Sequence, residues 1–122
     1  MLTQEELFGK CPYATSQKIL SGKWALIILF HLRDHKYRFN ELQKALPDIT
    51  QTTLTKQLRT LEAYGMITRT VYPQIPPKVE YELSALGNDF SAVLDSLEAW
   101  GNKYIEHQQH LSHLPMPQND FR

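Results

Sequence analysis

The sequence predicts a mainly α-helical fold with one small β-hairpin, and three stretches carry that reading. The first is residues 49–65, ITQTTLTKQLRTLEAYG, which look like a helix with both ends marked. Thr50 suits the N-cap, where its hydroxyl can accept a hydrogen bond from a free backbone N–H of the first turn. Ile49 and Leu54 fall at the two positions of a hydrophobic staple, and Gly65 falls at C′, where a left-handed backbone costs glycine least. The second is residues 66–83. Two β-prone runs, 66–72 and 78–83, flank Pro73-Gln74-Ile75-Pro76-Pro77, whose prolines cannot donate to a ladder. The third is an apolar series, Phe90, Val93, Leu94, Leu97, Trp100, Gly101, Tyr104 and Ile105, at alternating three- and four-residue steps. That is the spacing of a long helix with one apolar seam.

In chain order, residues 1–12 are expected to form an arm, with a short helix over 3–8 that stops by Pro12. Residues 13–20 predict a short helix that ends near Gly22. Residues 23–32 predict a second, apolar nearly all round, which assigns it to the centre of the core. Residues 34–37 read as a polar turn. Arg38 and Phe39 are too few for a free strand but can pair at a sheet edge. Asn40 is a suitable N-cap, with Gln43 placed to return the bond, for a helix over 41–46 that stops at Pro47. The tight 47–49 connection then leads into the helix of residues 50–64. Two helices joined by so short a turn form a helix-turn-helix. The hairpin that follows, with Val79, Tyr81 and Leu83 alternating against Lys78, Glu80 and Glu82, is its wing. Ser84 caps a last helix from Gly87 to about His107, and Pro115, Pro117, Asn119 and Asp120 read as a loose tail. The expectation is a winged helix-turn-helix with a C-terminal dimerisation helix in a single domain. Its parts are an arm (1–12), the winged unit (13–86), the dimerisation helix (87–110) and a flexible tail (111–122). A second copy of the chain would bury the apolar seam best; packing against residues 1–20 is the intrachain alternative.

Charge narrows the function. The 122 residues carry a formal net charge of zero, which excludes a globally basic nucleic-acid binder. The distribution is uneven. Residues 49–79 hold Lys56, Arg59, Arg69 and Lys78 against Glu62 alone, whereas residues 80–106 hold six acids against Lys103. The single cysteine, Cys11, excludes an intrachain disulfide and suits a reducing compartment. The N-terminus lacks the apolar region of a signal peptide. The apolar run at 24–30 falls far short of the ~20 residues of a membrane span. A cytoplasmic protein without membrane contact is expected. His107, His110 and His113 lack an evident fourth ligand, so no metal is expected. No Ser/His/Asp pattern, glycine-rich phosphate loop or paired-carboxylate cleft is present, which argues against an enzyme and against a cofactor.

Leu54, Leu58 and Leu61 share one face of the 50–64 helix. The opposite face carries Thr52, Thr55, Lys56 and Arg59, with Gln51 at its start and no acid among them. Alone, such a face is simply the solvent side of an amphipathic helix. Followed by a wing, it points to double-stranded DNA. Gln51, Thr52 and Thr55 are the candidates for base edges in the major groove. Lys56, Arg59, Arg69 and Lys78 are the candidates for phosphate. Arg69 and Lys78 flank the hairpin tip, within reach of the backbone or minor groove. A homodimer would set two such helices roughly 34–36 Å apart on an inverted-repeat operator. Two other readings stand beside this one. One is a winged-helix protein-interaction module without DNA binding. The other is a small-molecule site between subunits near Trp24, Trp100 and Tyr104.

Four stretches extend the reading: CP at residues 11–12, GKW at 22–24, RFNEL at 38–42, and LPDITQTTLTKQLRTLEAYGMITRTVYPQIPPKVEYELSALG at 46–87. In these the chain resembles the HxlR-type transcriptional regulators, a winged-helix branch near the MarR-type regulators, from about Cys11 to Trp100. The resemblance implies a homodimeric DNA-binding repressor or activator, a recognition helix over 51–64 and a wing over 69–78. Where that family often has arginine before VEY, this chain has Lys78, which keeps the cation but loses the bidentate fork. Some members sense oxidants or electrophiles through a cysteine at the position of Cys11. Thiolate is the reactive form, a neighbouring cation favours it, and Lys10 is adjacent. With no second cysteine in the chain, oxidation would join Cys11 to Cys11 of another subunit or to a small thiol. The alternative is a small apolar residue near the dimer contact.

Overall fold

The computed structural model describes residues 3–111. Helices α1 (Gln4–Leu7), α2 (Pro12–Ile19) and α3 (Ala25–Asp34) lead into the two-residue strand β1 (Tyr37–Arg38) and helix α4 (Phe39–Ala45). Then follow α5 (Gln51–Ala63), β2 (Ile67–Tyr72), β3 (Lys78–Leu83), α6 (Ala85–Asp89) and α7 (Ser91–His110). This is the mainly helical winged helix-turn-helix that the sequence predicts, with three antiparallel strands ordered β1-β3-β2.

Helix α5 has the ends its residues dictate. Thr50 Oγ1 accepts from the Thr53 N–H at 3.1 Å. Ile49 and Leu54 are both buried beneath that turn, which forms the staple. At the other end Gly65 has φ of 79°. The Gly65 N–H donates to the Glu62 carbonyl and the Met66 N–H to the Leu61 carbonyl, each at 2.9 Å. Those are the paired bonds of a Schellman motif. Leu54, Leu58 and Leu61 are fully buried in a core with Ile28 and Leu29 of α3, Leu42 of α4 and Ile67 of β2. Each such side chain contributes about 1.5–3 kcal/mol through the apolar area it removes from water.

Several expectations are corrected. Helix α3 is half core: Ala25, Ile28, Leu29 and Leu32 are buried, whereas Leu26, Ile27 and Phe30 are 37 %, 42 % and 44 % exposed. Its composition is apolar on all sides, but only one side meets the sheet and α5. Helix α4 starts at Phe39, not Glu41, and Asn40 lies inside its first turn. The Arg38 N–H is satisfied by the Glu41 carboxylate at 2.7 Å, so the returning group comes from Glu41. Gln43 turns the other way and donates to the Ile49 carbonyl. The arm's short helix does stop before Pro12, but Pro12 itself opens α2, as proline does at a helix start. The edge pairing falls on Tyr37 and Arg38, opposite Tyr81 and Glu80. That makes β3 the central strand and leaves its residues partly covered on both faces, so the expected in–out alternation is blunted. The tail beyond Leu111, including His113, lies outside the described residues.

The predicted last helix is two helices. Phe90 closes α6 and opens α7. The first of the two is tied to the base of the wing. Ser84 ties the base of the wing together: its N–H donates to the Met66 carbonyl at 3.0 Å and its hydroxyl donates to the Gly65 carbonyl. The same hydroxyl caps α6 by accepting from the Gly87 N–H at 3.0 Å. Gly87 thereby lies against Met66, and a Cβ built on it would fall 2.1 Å from the Met66 carbonyl oxygen. Gly87→Ala should therefore cost about 1–3 kcal/mol through overpacking, although alanine is the better helix former. Chemical denaturation measures it, and stability at or above wild type would contradict the close approach.

Candidate nucleic-acid interface

With the leucines of α5 turned inward, the rotation of the helix is fixed. Gln51, Thr52, Lys56 and Arg59 are consequently exposed, and Thr55 is half-buried. The Thr55 hydroxyl donates back to the Gln51 carbonyl at 2.9 Å, so it offers a methyl group and acceptor lone pairs outward, not a free donor. Lys56 and Arg59 have no ion-pair partner among the described residues.

The two wing cations are held differently. Arg69 Nε lies 3.3 Å from Glu62 Oε1, an exposed bridge from the wing to α5. Lys78 Nζ lies 3.7 Å from Glu80 and 4.8 Å from the centre of the Tyr72 ring. The Glu80 carboxylate near Tyr72 raises the phenol above its ordinary range. In turn the Tyr72 phenol, helped by Lys78, holds the Glu80 carboxyl below its ordinary range. The strand pairing sets Tyr72 opposite Lys78 and Arg69 opposite Tyr81. At the tip Ile75 is fully exposed.

Between α5 and the wing lies a cleft of about 320 Å³, with Arg59, Glu62, Arg69 and Tyr81 among its lining residues. Burial raises the Tyr81 phenol, and the nearby Arg69 partly offsets this. A second cleft of about 430 Å³ lies on the other flank of α5 and brings Lys23 into the neighbourhood of Lys56. Lys23 was not among the residues expected here. Its position depends on Gln57 of α5 lying over Gly22 and accepting from the Trp24 N–H at 3.2 Å, a contact between residues far apart in sequence.

The helix-turn-helix itself decides the family. The model of the HxlR-like helix-turn-helix matches residues 19–109. The chain belongs to the HxlR-like family. It is 50 % identical over 97 residues to the HTH-type transcriptional regulator YdeP of Bacillus subtilis (strain 168), covering 80 % of this chain and 76 % of that one. Among solved structures it is similar to the HTH-type regulator ytcD, with a TM-score of 0.75 and 48 % identity over 78 % of this chain and 97 % of that one. It is also similar to the redox regulator HypR in its reduced form, with a TM-score of 0.77 and 39 % identity over 81 % of this chain and 98 % of that one. HypR has also been solved in an oxidized form. The HxlR-like chain described here is thus a member of a transcriptional regulator family.

The other expected sites are placed as follows. Cys11 is free and half-buried and sits at the N-cap of α2. Trp100 and Tyr104 stack with centroids 5.7 Å apart on α7, whereas Trp24 caps α3 beside Gln57. Among the described residues no cluster of three or more His, Cys, Asp or Glu could hold a metal ion, and no helix is long and apolar enough to cross a membrane.

Proposed function

We propose that this HxlR-like chain is a homodimeric, sequence-specific DNA-binding transcriptional regulator. The observation that carries the reading is the outer face of α5, where Gln51, Thr52, Lys56 and Arg59 are exposed together beside the wing. Gln51, Thr52 and the methyl of Thr55 suit base edges in the major groove, and Lys56 and Arg59 suit phosphates. Arg69 and Lys78 extend the cationic surface to the wing. The partner is double-stranded DNA with an inverted-repeat operator, since two-fold symmetry in the protein is mirrored in its site.

The dimer reading rests on α7. Val93, Leu97, Trp100, Tyr104 and Ile105 lie on this one helix and are each 40 % or more exposed. A second copy would cover them, and the exposed Leu26, Ile27 and Phe30 belong to α3, which packs against α7. The cytoplasm is the compartment this function requires. Cys11 is the candidate oxidant- or electrophile-responsive group, by likeness to a redox regulator. Two Cys11 thiols of a dimer would form a disulfide, passing two electrons and two protons to an oxidant such as diamide.

Three measurements check this reading. Arg59→Ala should weaken binding on every DNA sequence and flatten the salt dependence by about one ionic contact, as read by mobility shift at several salt concentrations. Affinity that hardly changes with salt would remove the phosphate assignments and favour a protein-interaction module. Trp100→Glu should convert a dimer to monomers in sedimentation and lower operator affinity by roughly 10²-fold as the linked second half-site is lost; an unchanged dimer would place the interface elsewhere. Diamide should release wild type from its upstream DNA and leave Cys11→Ser bound. Equal release of both would take Cys11 out of the response.

A further inference from the structure

The cleft between α5 and the wing contains a carboxylate where a nucleic-acid surface would be expected to have none. Glu62 lies three residues after Arg59 on α5, and its carboxylate meets Arg69 of β2 at 3.3 Å. Arg59, Glu62 and Arg69 line the same cleft, with Tyr81. A helix in the major groove and a wing over the neighbouring minor groove are separated by one sugar-phosphate strand, because one strand forms the wall between those grooves. On the DNA-binding reading, that strand would cross this cleft.

We infer that Glu62 is an internal competitor for DNA phosphate: it holds Arg69 over the cleft in the free protein and surrenders it to the backbone on binding. This rests on the DNA-binding reading above and names a determinant of specificity within it. The chemistry favours the exchange. Both partners of the bridge are more than a third exposed, so it is weak and opens readily. The guanidinium that it frees fits phosphate oxygens as well as carboxylate oxygens. Glu62 is left beside the phosphates and takes up a cation from solution. The grip on any DNA backbone is weakened by that amount, whatever the sequence, while the base-edge contacts of Gln51 and Thr52 are untouched. Glu62 thus sets the balance between sequence-independent and sequence-dependent binding.

The test is Glu62→Gln in the full chain, titrated into a fluorescein-labelled duplex of about 30 base pairs of arbitrary sequence, at several salt concentrations. The expected result is affinity about two- to fivefold tighter, with a salt dependence steeper by about one ion, since no cation is taken up by the glutamine. The same substitution in an Arg69→Ala background should gain much less. Circular dichroism confirms that each variant is folded. If wild type binds the duplex and Glu62→Gln binds no tighter, the competitor role is overturned while DNA binding stands. If the gain is equal with and without Arg69, Glu62 acts as a plain repulsive charge and the exchange is overturned. If wild type binds no duplex even at low salt, the DNA-binding reading fails and takes this one with it.

Discussion

The outward chemistry of this chain depends on an inward constraint, the burial of Leu54, Leu58 and Leu61. A helix whose one apolar stripe is seated in a close-packed core cannot rotate about its axis without exposing leucine and burying threonine, lysine or arginine. The three leucines therefore fix which residues of α5 face outward as firmly as they fix the core. The two ends of the helix are set by separate local devices, the Thr50 cap and the Gly65 turn, so its start and length are also determined. Orientation, start and length together decide which side chains line the outer face.

What was legible in the sequence was what local chemistry decides. The caps of α5, its buried face and the two wing strands follow from side chains acting on backbone within a few residues, and the structure contains all of them. What was not legible depends on residues brought together from afar. Asn40 has the right chemistry for a cap, but Arg38 pairs with Glu80 of β3 and the helix starts two residues earlier, with Glu41 supplying the carboxylate. Neither the break at Phe90 nor the approach of Gly87 to the Met66 carbonyl is announced by any spacing within 84–107. The exposed side of α3 was hidden by its uniform apolarity: composition alone does not say which side of such a helix meets a neighbour.

The candidate interface was legible as a set of residues but not as an electrostatic surface. Lys56 and Arg59 are unpaired among the described residues, whereas Arg69 and Lys78 each meet a carboxylate. A tally of charges along residues 49–79 treats the four cations as equivalent, because Glu80 lies outside that window and Glu62 faces the wing only after the hairpin folds back. A neutral chain thus presents its cations in two conditions, free on the helix and compensated on the wing. Lys23, which approaches Lys56 across the second cleft, belongs to the same surface.

The Met66 carbonyl is a node for two parts of the molecule that are usually described separately. It accepts the Ser84 N–H at the base of the wing and is the surface on which Gly87, in the helix leading to α7, rests. The hairpin and the C-terminal helix consequently share one mechanical anchorage. A shift of α6 against Met66 is therefore felt at the root of the wing, and α7, beyond the break at Phe90, joins that root through α6.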